Sequence, residues 1–233
     1  MIIQDIFYIL RWFLVFMVIG FAFLPLTFNL FKEFKDKGYI FSKIIGIAFI
    51  SYISLLIGTL HILKFSEITL YLILIIFLLI NYSYSYYKKE NILNLIKKNL
   101  RIFLLEELIF LIGIFFWSYV RSNFPEIHGL EKYMDFGFVN SILRSDYFPA
   151  YDMWYSPLSI NYYYFGHLVT AVLTKLSFIP SLITYNLMLA ALFSFTFTAS
   201  LSLVINIFDL KKFSIKSVLA GLISAIFIPW GEI

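Results

Sequence analysis

The stretch EKYMDFGFVNSILRSDYFPAYDMWYSPLSINYYYFGH, residues 131–167, differs in composition from the chain on both sides of it. It contains four acidic residues, several basic ones and three consecutive tyrosines. The flanking sequence is apolar, with nearly uncharged runs of about 20 residues, the length that crosses the hydrocarbon core of a bilayer. The sequence therefore predicts a polar, aromatic insert between membrane spans.

The overall composition is that of an integral membrane protein. Hydrophobic residues make up 61% of the 233 residues and charged residues only 14%, whereas a soluble domain has about 25% charged residues. The net charge of +4 arises mainly in short loops between apolar runs, which is typical of a membrane protein rather than of a nucleic-acid-binding surface. We expect an all-α, polytopic transmembrane protein whose partner is the lipid bilayer, with no nucleic-acid partner.

Two absences narrow the possible chemistry. The sequence has no cysteine, which excludes disulfides, thiolate metal sites and a cysteine nucleophile. It also has no glycine-rich phosphate-binding loop and no serine nucleophile elbow. The sequence therefore gives no support for a soluble, nucleotide-dependent enzyme.

The apolar runs and the cations together predict a topology in the cell membrane. The predicted spans are residues 6–31, 44–63, 68–84, 102–119 and 182–208, and another apolar run begins near Val218. Twelve of the 18 cations lie in the loops 32–43, 88–101 and 209–216, which the positive-inside rule places in the cytoplasm. The N-terminus and the loop 121–181 then lie outside.

This topology requires that residues 162–178 do not cross the membrane. Asn161 is a good helix N-cap, and Tyr163, His167, Thr170 and Thr174 fall on one helical stripe. The pattern predicts a juxtamembrane amphipathic helix in the plane of the interface. The alternative is a short additional span, which would place the loop 209–216 outside.

Glu131 and Asp135 are the candidate catalytic residues. If residues 131–145 form a helix, the two carboxylates share one face because they are four positions apart. A carboxylate held just outside the membrane suits a general base. The competing interpretation is a solvated helix face on which Lys132 is a nearby counter-charge.

Six further residues of the insert are candidates for substrate binding, each with a simpler alternative. Arg144 could hold a phosphate through its planar fork, or only end a helix. Asp152, like Asp146, flanks a proline-containing turn, where aspartate also bonds nearby backbone. His167 could shuttle a proton. The tyrosine triplet could stack on a sugar ring or form an interfacial aromatic belt; its members are Tyr162, Tyr163 and Tyr164.

Glu106 and Glu107 lie inside the predicted fourth span. Acidic residues within a membrane are costly to bury, so they are candidates for function. The alternative is that they reach the interface or pair with Arg101 or Lys98.

The insert resembles a known family. The segments EKYMDFGFVNSILRSDYFPAYDMW and SINYYYFGH are similar to the YYY-domain membrane proteins, and the similarity extends across residues 131–186 to the pair Tyr185–Asn186. The resemblance implies that the chain corresponds to the front portion of a typical, longer member. Through this resemblance the protein is similar to the GT-C glycosyltransferases, in which an acidic motif, juxtamembrane helices and a proline-containing turn follow an inside-to-outside span.

The resemblance implies a function and a division of the chain. Residues 1–101 would supply three N-terminal spans, and residues 102–233 would form a GT-C-like unit around the external loop. The implied function is a membrane glycosyltransferase that uses a polyprenyl-phosphate-linked sugar, with Asp135 as the base and either Arg144 or a divalent metal ion at the leaving phosphate. Phe136 stands where these enzymes usually have a second acid. The alternative is a non-enzymatic transporter or scaffold subunit, for which Glu106 and Glu107 would be the informative residues.

Overall fold

A computed structural model describes residues 3–89, 91–208 and 215–230 of the chain. The helices of these residues are α1 (Ile3–Leu30), α2 (Tyr39–Thr59), α3 (Glu67–Tyr87), α4 (Ile92–Asn123), α5 (Leu130–Arg144), α6 (Phe165–Ser177), α7 (Ser181–Phe208) and α8 (Ile215–Trp230). The described residues form no named β-strand; a single bridge pairs Tyr151 with Ser159. The predicted all-α architecture is confirmed.

Local sequence explains where several helices begin. Ser66 caps α3 by accepting the backbone N–H of Thr69 at 3.3 Å, and Asn91 caps α4 by accepting that of Asn94 at 3.0 Å. Gly38 precedes α2 with a φ of 67°, in the left-handed region where a side chain is disfavoured. A Cβ at this position would also lie 2.5 Å from the ring of Phe31, so only glycine fits the turn.

Four helices of the described chain are long and apolar enough to cross a membrane: α1, α2, α3 and α7. The multi-pass prediction is therefore supported, whereas the side of the membrane that each loop faces stays a prediction. The helix α4, which contains the predicted span 102–119, is not among these four. It packs along α7 through aromatic side chains, with the Phe110 and Phe195 rings 4.5 Å apart, and Phe16 of α1 meets both rings edge-on.

Contacts between loops define two ends of the bundle. At the end that bears residues 124–164, here called the outer end, the Phe65 N–H donates to the Asp146 carbonyl at 2.7 Å. At the opposite, inner end, the Lys35 N–H donates to Asn206 of α7 at 2.7 Å. The loop between α1 and α2 and the external insert therefore lie at opposite ends, as the charge-based topology requires. Most of the third cation-rich loop, 209–216, lies outside the described residues.

The helix α6 has 13 residues and is too short to cross a bilayer, which needs about 20. It begins at Phe165, and no side chain caps it, so the predicted cap at Asn161 is wrong. Thr170 and Thr174 are buried. The Thr170 hydroxyl donates to the Gly166 carbonyl at 3.2 Å, and Thr174 shares a 2.7 Å hydrogen bond with Thr184 of α7. The predicted stripe is therefore turned partly into the protein.

Candidate functional site

Two residues of the insert 121–181 meet at the outer end of the bundle. Asp135 lies in the middle of α5 and His167 in the first turn of α6, and Asp135 Oδ1 is 3.0 Å from His167 Nε2. The side chain of Asp135 is 39% exposed and that of His167 is 16% exposed. The contact therefore joins a solvent-accessible carboxylate to a largely buried imidazole.

Packing around α5 holds this contact in place. The buried ring of Phe138 meets the His167 ring edge-on at 5.4 Å. On the same helix, Gly137 leaves room for Met153, since a Cβ at this position would lie 1.6 Å from Met153 Sδ. The close approach lets the loop after α5 fold back onto the helix.

The other nitrogen of His167 has no partner. His167 Nδ1 is buried and makes no hydrogen bond within the described part of the chain. With Nε2 beside a carboxylate oxygen, a neutral ring places its proton on Nε2 and donates it to Asp135. This arrangement fixes the orientation of Asp135 and leaves Asp135 Oδ2 without a hydrogen bond among the described residues.

Two of the three tyrosines lie beside the acids. The rings of Tyr162 and Tyr163 stack with centroids 3.9 Å apart, and the Tyr162 hydroxyl donates to that of Tyr163 at 2.6 Å. This hydrogen bond raises the pKa of Tyr162 above its ordinary value of 10.0, and the charges of Asp135 and Glu131 add to the effect. The Tyr162 phenol is therefore neutral at physiological pH. Tyr164 instead packs against the hydrophobic core, and burial raises its pKa.

Arg144 and Asp152 line a different cavity. It encloses about 890 Å³, and His61 and Tyr147 also line it. Asp152 Oδ1 accepts the N–H groups of Trp154 at 2.7 Å and Tyr155 at 3.1 Å, so its carboxylate takes part in a turn, which was the simpler alternative. Arg144 is exposed at the end of α5. Neither residue bonds to Asp135 or His167 in the described chain.

Glu106 and Glu107 are buried at the inner end. Glu107 Oε1 accepts hydrogen bonds from Lys43 and, at 2.5 Å, from the Tyr39 hydroxyl. Glu106 Oε2 accepts the Ile40 N–H at 3.2 Å. These partners belong to the start of α2, whereas Arg101 and Lys98, which the alternative interpretation offered as partners, are exposed.

Two further buried charged residues at the inner end, Asp36 and Lys43, were not predicted from the sequence. Asp36 and Lys43 belong to a segment that reads as a cytoplasmic loop, yet both are buried. Asp36 accepts hydrogen bonds from Ser202 and, at 2.8 Å, from Asn206, both on α7. The position of Lys43 directly before an apolar run was the one available signal, and it does not distinguish a buried lysine from an interfacial one.

A second cavity at the outer end was also missed. It encloses about 870 Å³ between α1, α4, α5 and α7. Arg121 lies in its wall and donates from Nε at 3.0 Å and from Nη2 at 2.7 Å to Asn186 Oδ1. Asn186 Nδ2 donates in turn to the Pro125 carbonyl at 3.0 Å, so the guanidinium has a fixed orientation. Asn186 is the last residue of the segment that carries the family resemblance.

Within the part of the chain that the structure describes, no group of three or more acidic, histidine or cysteine side chains could hold a metal ion.

The helices and their length define the protein as an all-α, multi-pass membrane protein with a polar site at one end of the bundle. The chain belongs to the family described as uncharacterized membrane protein (DUF2298), whose family model matches residues 49–230. No curated protein and no solved structure matches the chain. The match includes the insert 121–181 and the helices α5 to α7. The family description names no reaction.

Proposed function

We propose that the protein is a membrane glycosyltransferase that takes its sugar from a polyprenyl-phosphate-linked donor at the outer membrane face. The observation that carries this proposal is the contact between Asp135 and His167, which holds an accessible carboxylate at the outer end of the bundle. The resemblance of residues 131–186 to the YYY-domain proteins, and through that family to the GT-C enzymes, supplies the reaction class.

In the proposed reaction Asp135 is the general base. Its Oδ2 takes the proton of an acceptor hydroxyl while the freed oxygen bonds to the anomeric carbon of the donor sugar. The bond from that carbon to the phosphate oxygen breaks, and the phosphate leaves with the electron pair. General-base assistance of this kind contributes roughly 10²–10⁴ in rate. Glu131, one turn earlier on α5, is the second acid near the acceptor.

The surrounding residues have supporting roles. His167 orients the Asp135 carboxylate through its N–H. The exposed, stacked rings of Tyr162 and Tyr163 offer a flat face to a sugar, as aromatic side chains do in many binding sites. We assign the leaving phosphate to Arg144, which lines the cavity after α5, since an arginine fork matches phosphate oxygens.

The test is sugar transfer by the purified protein with a polyprenyl-phosphate sugar. We expect Asp135→Asn to lower the rate by about 10²–10⁴ without unfolding the protein. Asp146→Asn is the matched control, because Asp146 belongs to the same insert but is paired with the exposed Lys64 at 2.7 Å. Unchanged transfer by Asp135→Asn would remove the base assignment.

The proposal also requires that the site faces outward. Because the chain has no cysteine, single variants can be labelled with a membrane-impermeant thiol reagent on intact cells. We expect Ser156→Cys, exposed in the insert, to be labelled, and Glu33→Cys, exposed in the loop after α1, to stay unlabelled. Labelling of position 33 without position 156 would invert the topology and exclude an outer-face enzyme.

A non-enzymatic transporter or scaffold subunit remains the second candidate. It depends on Glu106 and Glu107 as a polar path through the membrane. The bonds from Lys43 and Tyr39 to Glu107 favour a structural role for these acids, so we rank transport below sugar transfer.

A further inference from the structure

The cavity beside Arg121 lies at the ends of helices that are long and apolar enough to cross a membrane, α1 and α7. Three of its walls are the outer ends of the helices α1, α4 and α7, represented by Tyr8, Arg121 and Leu182. The apolar side chains of Leu182 and Leu187 line it together with Phe136 of α5. A cavity of about 870 Å³ with mainly apolar walls is within the size range of small-molecule sites.

One wall of this cavity carries hydrogen-bond donors that could bind an anion. A guanidinium has five N–H groups, and Arg121 directs two of them to Asn186. No carboxylate forms an ion pair with Arg121 in the described part of the chain. One helical turn earlier, Ser118 lines the same cavity, and its hydroxyl is buried with no hydrogen-bond partner among the described residues. A ligand phosphate would accept hydrogen bonds from both groups.

The same cavity also carries negative charge. Asp5 and Glu126 line it, and Glu126 is exposed in the loop after α4. A purely anionic lipid would meet the exposed carboxylate of Glu126, whereas a neutral lipid would offer no acceptor to Arg121 and Ser118. A head group that contains both a phosphate and an ammonium complements the two kinds of charge at once.

We propose that this cavity binds a zwitterionic phospholipid of the phosphatidylethanolamine type, with the phosphate at Arg121 and Ser118 and the primary ammonium at Glu126. The acyl chains would leave along the apolar side chains of α7. This lipid site is independent of the proposed sugar transfer, because it requires neither Asp135 nor His167.

The test is a lipid titration of the full chain in neutral detergent, followed by native mass spectrometry. The probes are phosphatidylethanolamine, phosphatidylglycerol, diacylglycerol and inorganic phosphate. We expect phosphatidylethanolamine to bind about tenfold tighter than phosphatidylglycerol, since one charged hydrogen bond gained or lost is worth a factor of this size. Inorganic phosphate should not displace it at equal concentration. Equal binding of all lipids, or displacement by phosphate alone, would overturn the proposal.

Variants separate the two halves of the head group. Arg121→Gln should weaken phosphatidylethanolamine binding about tenfold, whereas Arg101→Gln, an exposed arginine at the other end of α4, should not change it. Glu126→Gln should remove the preference over phosphatidylglycerol, and because Glu126 is exposed this variant does not depend on the fold tolerating a loss at position 121. If Glu126→Gln keeps the full preference, the ammonium site is wrong.

Discussion

The two ends of the bundle use charged side chains in opposite ways. At the inner end, three carboxylates are buried and bonded to partners on the neighbouring helices. This inner network comprises Asp36, Tyr39, Lys43, Glu106, Glu107, Ser202 and Asn206. At the outer end, Asp135 is accessible and only one of its carboxylate oxygens is bonded. The contrast is between polar groups satisfied by the fold and polar groups left available to a ligand.

The difference in burial between the inner network and Asp135 is the reason why we propose a functional role for Asp135. A charge removed from water is costly unless it is paired and hydrogen-bonded, so the inner network must satisfy itself. Glu107 Oε2 is the exception, since it is buried without a partner. A carboxylate that stays accessible to water carries no such requirement and can accept a proton from a substrate. We therefore assign stability to the inner network and chemistry to the outer pair.

The largest expected effect is on the stability of the inner network. Lys43 is 1% exposed and bonded to Glu107. Lys43→Met leaves a buried carboxylate without its cation, which should lower the free energy of unfolding by about 3–5 kcal/mol. The measurement is the midpoint of thermal or denaturant unfolding in detergent.

Two companion variants make this prediction specific. The double variant Lys43→Met, Glu107→Gln removes both charges and keeps an acceptor for Tyr39, so it should recover most of the lost stability. Lys64→Met breaks the exposed pair with Asp146 and should leave the unfolding midpoint unchanged. If Lys43→Met and Lys64→Met lower the unfolding midpoint equally, burial of the inner network does not determine its contribution to stability.

A smaller effect, on kcat, is expected when His167 is replaced, because His167 is proposed to position Asp135. His167→Leu removes the N–H that orients Asp135 and should lower kcat by about tenfold to a hundredfold, with less change in KM. His167→Gln keeps a side-chain N–H and should restore part of the rate. If the glutamine and leucine variants are equally slow, His167 does more than orient the carboxylate.

The smallest expected effect concerns the pH dependence of stability at Tyr162. Its pKa is raised above 10.0 by the hydrogen bond to Tyr163, so the folded protein holds this proton more tightly than the unfolded chain does. The stabilisation is present below the ordinary tyrosine pKa and is lost as the pH rises through the folded value. Tyr162→Phe lacks this stabilisation at every pH, so it should be slightly less stable than the wild type at pH 7 and should lose less stability between pH 9 and 11. Identical pH profiles would contradict this.

The sequence predicted the positions of the helices better than it predicted which side chains contact each other. Hydropathy and helical spacing are local properties, so the spans and the helix that carries Glu131 and Asp135 could be placed. The contact between Asp135 and His167 could not, because 32 positions separate them and no pattern encodes which helix faces fold together. Lys43 illustrates the same limit, since a cation beside an apolar run reads as a loop residue until α4 is placed next to it. The cap at Asn161 failed because the helix begins only at Phe165, after the three tyrosines, and a local preference does not fix where a helix starts.

One paired measurement tests the central claim, that the outer end carries the chemistry and the inner end the stability. Unfolding midpoint and sugar transfer would be measured together for Asp135→Asn and for the double variant Lys43→Met, Glu107→Gln. The account predicts that Asp135→Asn keeps the wild-type midpoint and loses transfer by about 10²–10⁴, while the double variant keeps transfer. Transfer that survives Asp135→Asn but disappears in a folded Lys43→Met, Glu107→Gln protein would contradict the account and move the functional site to the inner network.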